Sequence, residues 1–225
     1  MKLRGGFRTT DKRLDRIPQF DERSRNFPIR ALVPKKQRSY TWSCKAWLDQ
    51  GREGACVGFA WAHDLNARPK IIAVDNSYAR GIYTSAQKID EWAGEAYEGT
   101  SVLAGAKVVS NIGYMTEYRW AFGLDDLILA VGYAGPAVLG LNWYEGMFQP
   151  DTKGFLKPTG RLAGGHAILC HSVNVKEKYF KLHNSWGQDW GVNGECFISF
   201  EDMDRLLHEQ GEACVPVVRT IKKGG

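Results

Sequence analysis

One short stretch constrains this chain more than any other, the run QGREGACVGFA at residues 50–60. Gly51 and Gly54 break the backbone, and Cys56 then opens a run with helical character. The N-terminus of a helix leaves N–H groups unpaired and carries the positive end of the helix dipole. Because a thiol held there loses its proton more easily, Cys56 is a candidate nucleophile. Gln50 precedes it across the glycine turn, so its amide can come back beside the sulfur.

The composition is that of an ordinary soluble globular protein, with 225 residues, 44% hydrophobic and 24% charged. That length can bury a substantial core, in one domain or in two small lobes. No apolar run approaches the roughly 20 residues that span a bilayer. The basic N-terminus has no apolar segment behind it, which argues against a secretory signal. We therefore expect a cytoplasmic protein with no membrane partner.

The five cysteines are an odd and sparse set that does not predict a disulfide framework. They are Cys44, Cys56, Cys170, Cys196 and Cys214. No pair has the spacing of a structural metal site, so the sequence predicts no metal and no cofactor. Apart from Cys56, we interpret the cysteines as small buried hydrophobic residues.

The basic charge lies in the leading segment. Residues 1–40 carry twelve lysines and arginines against four acidic residues, a net charge of +8, whereas the whole chain has +5. With three prolines and little periodicity, residues 1–39 are predicted to form a basic, mostly extended arm before a domain at residues 40–225. Nucleic-acid binding by the arm is one explanation of its charge, but a solvated arm on a mildly acidic domain is favoured. The sequence says nothing about oligomeric state.

The front half of the chain reads as helical and the back half as β-rich. The predicted helices cover Cys56 to about Asn66, 76–90, a segment from a Thr100 or Ser101 cap to Ile112, 125–131 and 202–208. The predicted strands cover 137–141, 167–170, 179–183, 196–200 and 215–218. This order predicts an α+β fold with a helical lobe at about 40–120, a β-rich lobe at about 121–225 and an active-site cleft between them.

A cysteine nucleophile needs a base, a group that orients the base, and donors for the oxyanion that forms on acyl attack. His166 stands out among the histidines because it follows Gly164 and Gly165 and opens an apolar strand. Asn184 ends a later predicted strand, and its side-chain carbonyl can accept a proton from the far ring nitrogen of His166. Trp186 can cover that hydrogen bond and exclude water, which strengthens it.

Three blocks of this sequence together resemble the papain family of cysteine peptidases. They are QGREGAC at residues 50–56, GGHA at 164–167 and NSWGQDWGVNG at 184–194. The blocks occur in the family's order, and short prokaryotic and phage-encoded members look most similar. The resemblance implies a papain-like fold, with a helical left lobe and a β-barrel-like right lobe that place Cys56 and His166 on opposite sides of the cleft.

The same resemblance implies roles for further residues. Asn184 would orient the histidine, and Gln50 with the N–H of Cys56 would form the oxyanion hole. Gly99 and Thr100 fall where the family has a strip that pairs with the substrate backbone. Gly165 would lie on the opposite wall, and Trp186 is counted with these substrate-binding candidates. The segment before Gln50 is too short for the family's usual inhibitory prodomain, so any restraint by residues 1–39 would have to work differently.

The function expected from these residues is hydrolysis of peptide bonds in a peptide or protein substrate. In a Cys-His-Asn triad, the thiolate of Cys56, paired with the imidazolium of His166, would attack the peptide carbonyl. The reaction would pass through an acyl-enzyme intermediate. The same triad would also serve another acyl transfer, such as that of an isopeptidase, a deamidase or a transglutaminase-like enzyme. A non-catalytic binding module on the same scaffold is a third possibility, against which the retention of all four catalytic candidates argues.

Overall fold

A computed structural model describes residues 11–92 and 98–219 of the chain. The first ten residues of the predicted arm and the last six of the predicted domain lie outside the described residues. Most of the helices precede most of the strands, as the sequence predicts. Within these ranges every helix is too short or too polar to cross a lipid bilayer.

The described helices agree with the predicted ones to within a few residues. They are α1 Cys56–Leu65, α2 Asn76–Gln87, α3 Val102–Asn111, α4 Leu124–Tyr133 and α5 Phe200–His208. The predicted cap of α3 is Ser101, whose hydroxyl accepts the N–H of Ala104 at 3.0 Å. Such a bond satisfies one of the amides that a helix start leaves unpaired. The sequence thus marks this helix start correctly.

In the described part of the chain, seven strands form one antiparallel sheet. They are β1 Tyr40–Thr41, β2 Met115–Trp120, β3 Ala137–Tyr144, β4 Leu162–Asn174, β5 Tyr179–His183, β6 Glu195–Ser199 and β7 Glu212–Arg219. Their order is β2-β7-β3-β4-β5-β6, with β1 paired to β4, and the sheet does not close on itself. The expected barrel-like lobe is therefore barrel-like only in a loose sense. Neither β1 nor β2 was predicted from the sequence. β1 has only two residues, and the alternation of polar and aromatic residues in β2 covers only residues 117–120.

Strands β3 and β4 lie between two hydrophobic cores. Val138 and Ala167 pack into a core built mainly on α1 and α3, whereas Leu139 and Ile168 pack into a core shared with α4 and α5. Successive side chains of a strand point to opposite faces, so the two strands serve both cores. His166 begins the buried run of β4 and lies where the helical and β-rich parts of the chain meet.

The arm is partly buried against the body. Leu14 is 2% exposed and Ile29 is fully buried, and both belong to the core of the sheet. Two short 3-10 turns, at Glu22–Asn26 and Ile29–Ala31, lead the chain toward β1. Burial of these two apolar side chains stabilises the docked arm. Ile29 is one of the apolar residues from which an anchor on the body is expected, whereas the burial of Leu14 departs from the interpretation as a solvated arm.

Candidate active site

Cys56 is the first residue of α1, as the sequence predicts. No side chain caps this helix start, and the cysteine is fully buried. Burial raises the pKa of the Cys56 thiol to about 11, although backbone N–H groups of Ala167 and Asp15 act in the opposite direction. The expected lowering by the helix N-terminus is thus outweighed, and the covered thiol is protonated near neutral pH.

His166 and Asn184 form the hydrogen bond that the sequence predicts. The ring Nε2 of His166 donates to Oδ1 of Asn184 at 2.8 Å, and the same oxygen accepts the N–H of Ser185 at 2.9 Å. Among the residues that the structure describes, Nδ1 of His166 has no hydrogen-bond partner. Because Asn184 fixes the proton on Nε2, Nδ1 is the nitrogen that can accept a proton. Burial lowers the pKa of His166 to about 4, against the effect of the Asn184 bond.

Aromatic rings enclose the histidine. Trp186 is 8% exposed, and its ring centroid lies 5.0 Å from that of His166. Trp143 meets the same imidazole edge-on at 4.6 Å. The guanidinium of Arg13 lies over the outer face of Trp186, 4.2 Å from its centroid. Trp186 therefore shields the hydrogen bond between His166 and Asn184. Its other contact at the cleft is with Arg13 of the arm.

Two backbone carbonyls and one hydroxyl hold the side chain of Gln50. Its Nε2 donates to the carbonyl of Glu53 at 2.7 Å and to the carbonyl of Arg13 at 3.2 Å. Its Oε1 accepts the hydroxyl of Ser185 at 2.7 Å. The amide N–H groups of Gln50 thus already meet a peptide carbonyl oxygen, which is the kind of atom that an oxyanion hole serves.

The arm itself occupies the groove between the predicted substrate-binding walls. The N–H of Arg16 donates to the carbonyl of Gly165 at 3.0 Å, and the N–H of Ile17 donates to the carbonyl of Thr100 at 2.9 Å. The N–H of Thr100 donates in turn to the carbonyl of Asp15 at 3.3 Å. Both pairings are parallel bridges. Thr100 and Gly165 therefore lie on facing walls of one groove, with extended chain between them.

The glycines of these walls give the arm room. A Cβ on Gly165 would overlap the carbonyl oxygen of Arg16, and a Cβ on Gly99 would overlap that of Asp15. Gly99 also has φ +94, which residues with side chains rarely adopt. Both glycines permit a close approach of backbone to backbone, which is how a groove of this kind holds extended peptide.

The sequence pattern did not predict that arm residues lie in the groove. It also did not predict the contact of Glu212 with Arg16 or that of Ser185 with Gln50. Available signals were an apolar residue, Leu14, inside a charged run, and a serine directly after Asn184. Neither signal indicates which residue is contacted, because both contacts join segments that are far apart in the sequence.

A second polar cluster ties β4, β5 and β6 together. Oε1 of Glu195 lies 3.0 Å from Nε2 of His171 and 3.4 Å from Nδ1 of His183, and the ammonium of Lys181 contacts the other carboxylate oxygen. Potential ligand atoms of the two histidines and Glu195 lie within 4.8 Å of one another. His171 also bonds through Nδ1 to the carbonyl of Trp42 at 2.9 Å. Burial opposes ionisation of Glu195, but its three cationic or polar neighbours hold its pKa well below the usual range.

Comparison with known proteins finds a family whose profile matches part of this chain. A profile described as "Papain family cysteine protease" matches residues 78–208, more than half of the chain. The match includes His166 and Asn184 and begins after Cys56 and Gln50.

Curated relatives match over part of their length. A peptidase C1-like protein of Acanthamoeba polyphaga mimivirus, described as uncharacterized, is 30% identical over 105 residues, which is 44% of this chain and 33% of that protein. Cathepsin B-like cysteine proteinase 4 of Caenorhabditis elegans is 24% identical over 162 residues, 66% of this chain and 46% of that protein. The matches thus span less than half the length of these relatives.

Solved structures share the fold at low sequence identity. Xylellain, a cysteine protease from Xylella fastidiosa, superposes with a TM-score of 0.68 at 20% identity, over 95% of this chain and 99% of that one. A recombinant stem bromelain precursor gives 0.60 at 16% identity, over 93% and 78%. These likenesses confirm the α+β fold that the sequence predicts. Since the family profile covers most of the β-rich part and the last two helices of the helical part, the chain belongs to the papain family of cysteine proteases.

Proposed function

We propose that this protein is a cysteine peptidase that hydrolyses peptide bonds, with Cys56 as nucleophile, His166 as base and acid, and Asn184 as the group that orients His166. The observation that carries the proposal is the extended polypeptide in the cleft. The backbone of Arg16 is paired with both walls, and the carbonyl of Arg13 accepts a hydrogen bond from Gln50. A groove that holds a peptide backbone in this way suits a peptide substrate.

The chemistry starts once the arm has left the groove. Nδ1 of His166 takes the proton of the Cys56 thiol, and the thiolate attacks the carbonyl carbon of the scissile bond. Gln50 Nε2 and the N–H of Cys56 stabilise the negative charge on the carbonyl oxygen. His166 then protonates the leaving amine, and the C–N bond breaks to give a thioester. Water, deprotonated by His166, hydrolyses the thioester and restores the thiol of Cys56.

A different acyl transfer on the same residues is the second candidate. An isopeptidase, a deamidase or a transglutaminase-like enzyme would accept an amide at the end of a side chain, which needs a narrow opening more than a long groove. The backbone pairing of Thr100 and Gly165 with extended chain favours a linear peptide instead. A binding module without chemistry would not need the bond between His166 and Asn184.

Labelling of the thiol tests the catalytic assignment. The intact protein is treated with an epoxide that alkylates activated thiols, and the adduct is located by mass spectrometry. We expect selective labelling of Cys56 that is lost in His166→Ala and kept in the control His208→Ala, since His208 is exposed on α5. The four other cysteines are buried and unpaired and serve as internal controls. Even labelling of all five, or labelling of Cys56 that survives His166→Ala, would contradict the proposal.

Substrate profiling separates the two enzyme classes. Linear peptides, isopeptides and amine acceptors are offered to the wild-type chain and to Cys56→Ala. Release of new amino termini from linear peptides alone supports the peptidase, whereas turnover of isopeptides or incorporation of amines supports the second candidate. We also propose a cytoplasmic location, which the five unpaired cysteines support and which fractionation of the source cells would test.

A further inference from the structure

We infer that His171, His183 and Glu195 form a binding site for one divalent transition-metal ion, and that Zn²⁺ is the ion that fits them best. The expectation of no metal rested on the spacing of the cysteines, whereas these ligands come from three neighbouring strands. The site ties β4, β5 and β6 together and lies outside the residues of the proposed peptidase reaction.

The backbone brings the three side chains together. His183 of β5 and Glu195 of β6 are a directly opposed pair. The side chains of such a pair lie on one face of the sheet, with Cβ atoms about 5 Å apart. His171 lies at a register shift in β4, between Cys170 and Ser172, which both pair with β5. An extra residue at such a shift re-aims a side chain, and here the ring of His171 reaches the carboxylate of Glu195 on the third strand.

A hydrogen bond to Trp42 decides which nitrogen of His171 is the ligand. The carbonyl of Trp42 only accepts, so Nδ1 of His171, which lies 2.9 Å away, carries a proton. Nε2 of a neutral ring then has a lone pair, and it lies 3.0 Å from Oε1 of Glu195. Histidines that bind metals typically donate their other ring nitrogen to a carbonyl or carboxylate in this way. The fold therefore orients His171 as a ligand through Nε2.

Two histidines converge on one carboxylate oxygen. Nδ1 of His183 lies 3.4 Å from the same Oε1 of Glu195. Within the part of the chain that the structure describes, neither Nε2 of His171 nor either ring nitrogen of His183 has a hydrogen-bond partner. A lone pair beside a carboxylate oxygen is repelled unless a cation lies between them. A proton on His171 relieves one of the two contacts, whereas a metal ion between the three atoms relieves both.

The spacing of these atoms fits zinc. With Zn–N and Zn–O bonds of about 2.0 to 2.1 Å, two ligands of a tetrahedral site are about 3.3 Å apart. The two contacts of Oε1, at 3.0 and 3.4 Å, lie on either side of that value. Ligand atoms of all three residues lie within 4.8 Å of one another, so a modest shift of the rings closes the third edge. Zinc takes two imidazoles and one carboxylate with water in the fourth position.

The neighbours hold the three ligands without occupying their ligand atoms. The ammonium of Lys181 contacts the other oxygen of Glu195, Oε2, and the lysine side chain is 29% exposed. It therefore fixes the carboxylate from the solvent side and leaves Oε1 to the histidines. His63 accepts the N–H of Leu48 through Nε2 at 3.2 Å and packs its ring against that of His183, with 4.4 Å between centroids. The side chain of Glu195 is 14% exposed, which gives an ion a path from solvent.

The site adjoins the residue that orients His166. Asn184 directly follows His183, and Gly194 directly precedes Glu195. The N–H of Asn184 donates to the carbonyl of Gly194 at 3.0 Å. A metal ion that joins His183 to Glu195 therefore holds both of the chain segments that position Asn184.

The first experiment measures zinc binding. The full-length chain is freed of metal with a chelator, the chelator is removed, and ZnCl₂ is titrated in a calorimeter. Cys56→Ala is titrated in parallel, because a thiol is itself a zinc ligand. We expect one ion per chain in both proteins. Glu195→Gln should weaken binding by at least about 100-fold, since loss of an outer partner alone costs about 10- to 100-fold. His183→Gln gives the same comparison if Glu195→Gln does not fold. The control His208→Gln, on the exposed face of α5, should bind as the wild type does.

The second experiment locates the ion. Trp47 is exposed, and its ring centroid lies 6.3 Å from that of His183. Co²⁺ replaces Zn²⁺ as a paramagnetic probe and is added to the Cys56→Ala chain. Bound Co²⁺ should quench part of the tryptophan fluorescence, and that part should be missing when Trp47→Phe is added. Trp120→Phe is the control, because Trp120 lies on β2 at the opposite edge of the sheet, and it should leave the quenched part in place.

The outcomes decide between a metal ion and its alternatives. One zinc ion per chain that depends on Glu195 but not on His208 supports the site, whether or not the chain cleaves peptides. Absence of stoichiometric binding would overturn it and would mean that a proton on His171 serves the contact with Glu195. Binding that is lost in Cys56→Ala and kept in Glu195→Gln would overturn it in favour of the proposed nucleophile. Quenching that is unchanged by Trp47→Phe would also overturn it, because the ion would then lie elsewhere.

Discussion

The hydroxyl of Ser185 donates to Oε1 of Gln50 at 2.7 Å, and the carbonyl of Ser185 accepts the backbone N–H of Gln50 at 2.9 Å. The two bonds orient the Gln50 amide so that Nε2 faces the carbonyl of Arg13 in the groove. Ser185 thus acts on Gln50 as Asn184 acts on His166. One dipeptide after β5 thereby positions both the base and the oxyanion donor of the proposed reaction.

This relationship predicts that Ser185→Ala lowers activity although the serine touches no substrate. Without the hydroxyl the amide of Gln50 can rotate, and its donors leave the oxyanion for part of the time. We expect a loss of about tenfold in kcat, against about 10² to 10³ for Gln50→Ala, which removes the donor itself. The double variant should resemble Gln50→Ala alone, because the serine acts through the glutamine. Initial-rate kinetics on a cleaved peptide measure all three.

Ser172→Ala is the matched control for Ser185→Ala. Ser172 is also a buried serine in the sheet region, but its hydroxyl bonds to Thr41, away from the groove. The control should change kcat by less than about twofold, since loss of a single neutral hydrogen bond mainly affects stability. Full activity in Ser185→Ala, or equal losses in the two serine variants, would show that Ser185 does not orient Gln50.

The bond between Asn184 and His166 predicts a change in pH dependence. Asn184→Asp places a carboxylate where Oδ1 now accepts the Nε2 proton at 2.8 Å. A negative charge stabilises the imidazolium, so the pKa of His166 should rise from its depressed value of about 4. The acidic limb of the rate of Cys56 labelling should move to higher pH by about one unit or more. An unchanged limb would mean that His166 does not control the thiol. Asn174→Asp, at the exposed end of β4, is the control and should leave the limb in place.

The positions of the catalytic candidates stand out in the sequence because each lies where the sequence marks an element boundary. Cys56 follows two glycines and opens a helix, His166 follows two glycines and opens a buried strand segment, and Asn184 directly follows β5. Local patterns suffice for such positions, since turns and helix starts depend on a few neighbouring residues. The assignment of Gly99 and Gly165 to the groove walls rested on the family resemblance. In the structure both glycines lie against the extended chain of the arm.

The docking of the arm could not be predicted from local pattern. Arg16 and Glu212 form a buried ion pair although they are 196 residues apart, and neither is unusual in its own segment. Charged residues are normally solvated, so the basic composition of the arm pointed to a surface role. Burial of a single ion pair depends on space that distant residues such as Gly140 leave open, which a single sequence does not reveal. The raised pKa of Cys56 was missed for the same reason, because the thiol is buried among residues from distant segments, the backbone of Asp15 and of Ala167 among them.

The burial of Leu14 predicts that one truncation weakens the docking of the arm. Leu14 is 2% exposed and lies in the core of the sheet. Leu14→Ala should cost about 2 to 5 kcal/mol, as large-to-small changes in cores do. If Leu14→Ala destabilises the docked state of the arm relative to the undocked state, the rate of Cys56 labelling should rise by at least about tenfold. The exposed arm residue Leu32 gives the control Leu32→Ala, which should leave the rate unchanged. A lower melting temperature with no faster labelling would mean that Leu14 supports the whole fold and not the docked arm alone.

Asp15 makes the docking of the arm sensitive to pH. Burial, with a smaller contribution from Glu98, raises the pKa of its carboxyl to about 6. The carboxyl lies against Gly54, where a Cβ would overlap it, close to Cys56 and Tyr83. In a free arm the pKa of Asp15 would be about 3.9. Since the docked state has the higher pKa, docking is strongest below about pH 4 and weakens as the pH rises to about 6.

Asp15→Asn tests this dependence directly, because the amide keeps the shape of the side chain and carries no charge. The variant should keep the arm docked at neutral pH and lower the labelling rate of Cys56 at pH 7 by up to about tenfold. The decrease is smaller than the pKa shift alone would give, because Asp15 is partly exposed and solvent screens its charge. Thiol reactivity itself rises with pH, so the quantity to compare is the ratio of wild-type to variant rates. This ratio should grow between about pH 4 and pH 6 and stay level above. The control is Asp21→Asn, an exposed arm carboxylate whose side-chain hydrogen bonds within the described residues go to Arg23. It should give a ratio near one at every pH. A flat ratio for Asp15→Asn would show that the carboxyl does not govern docking.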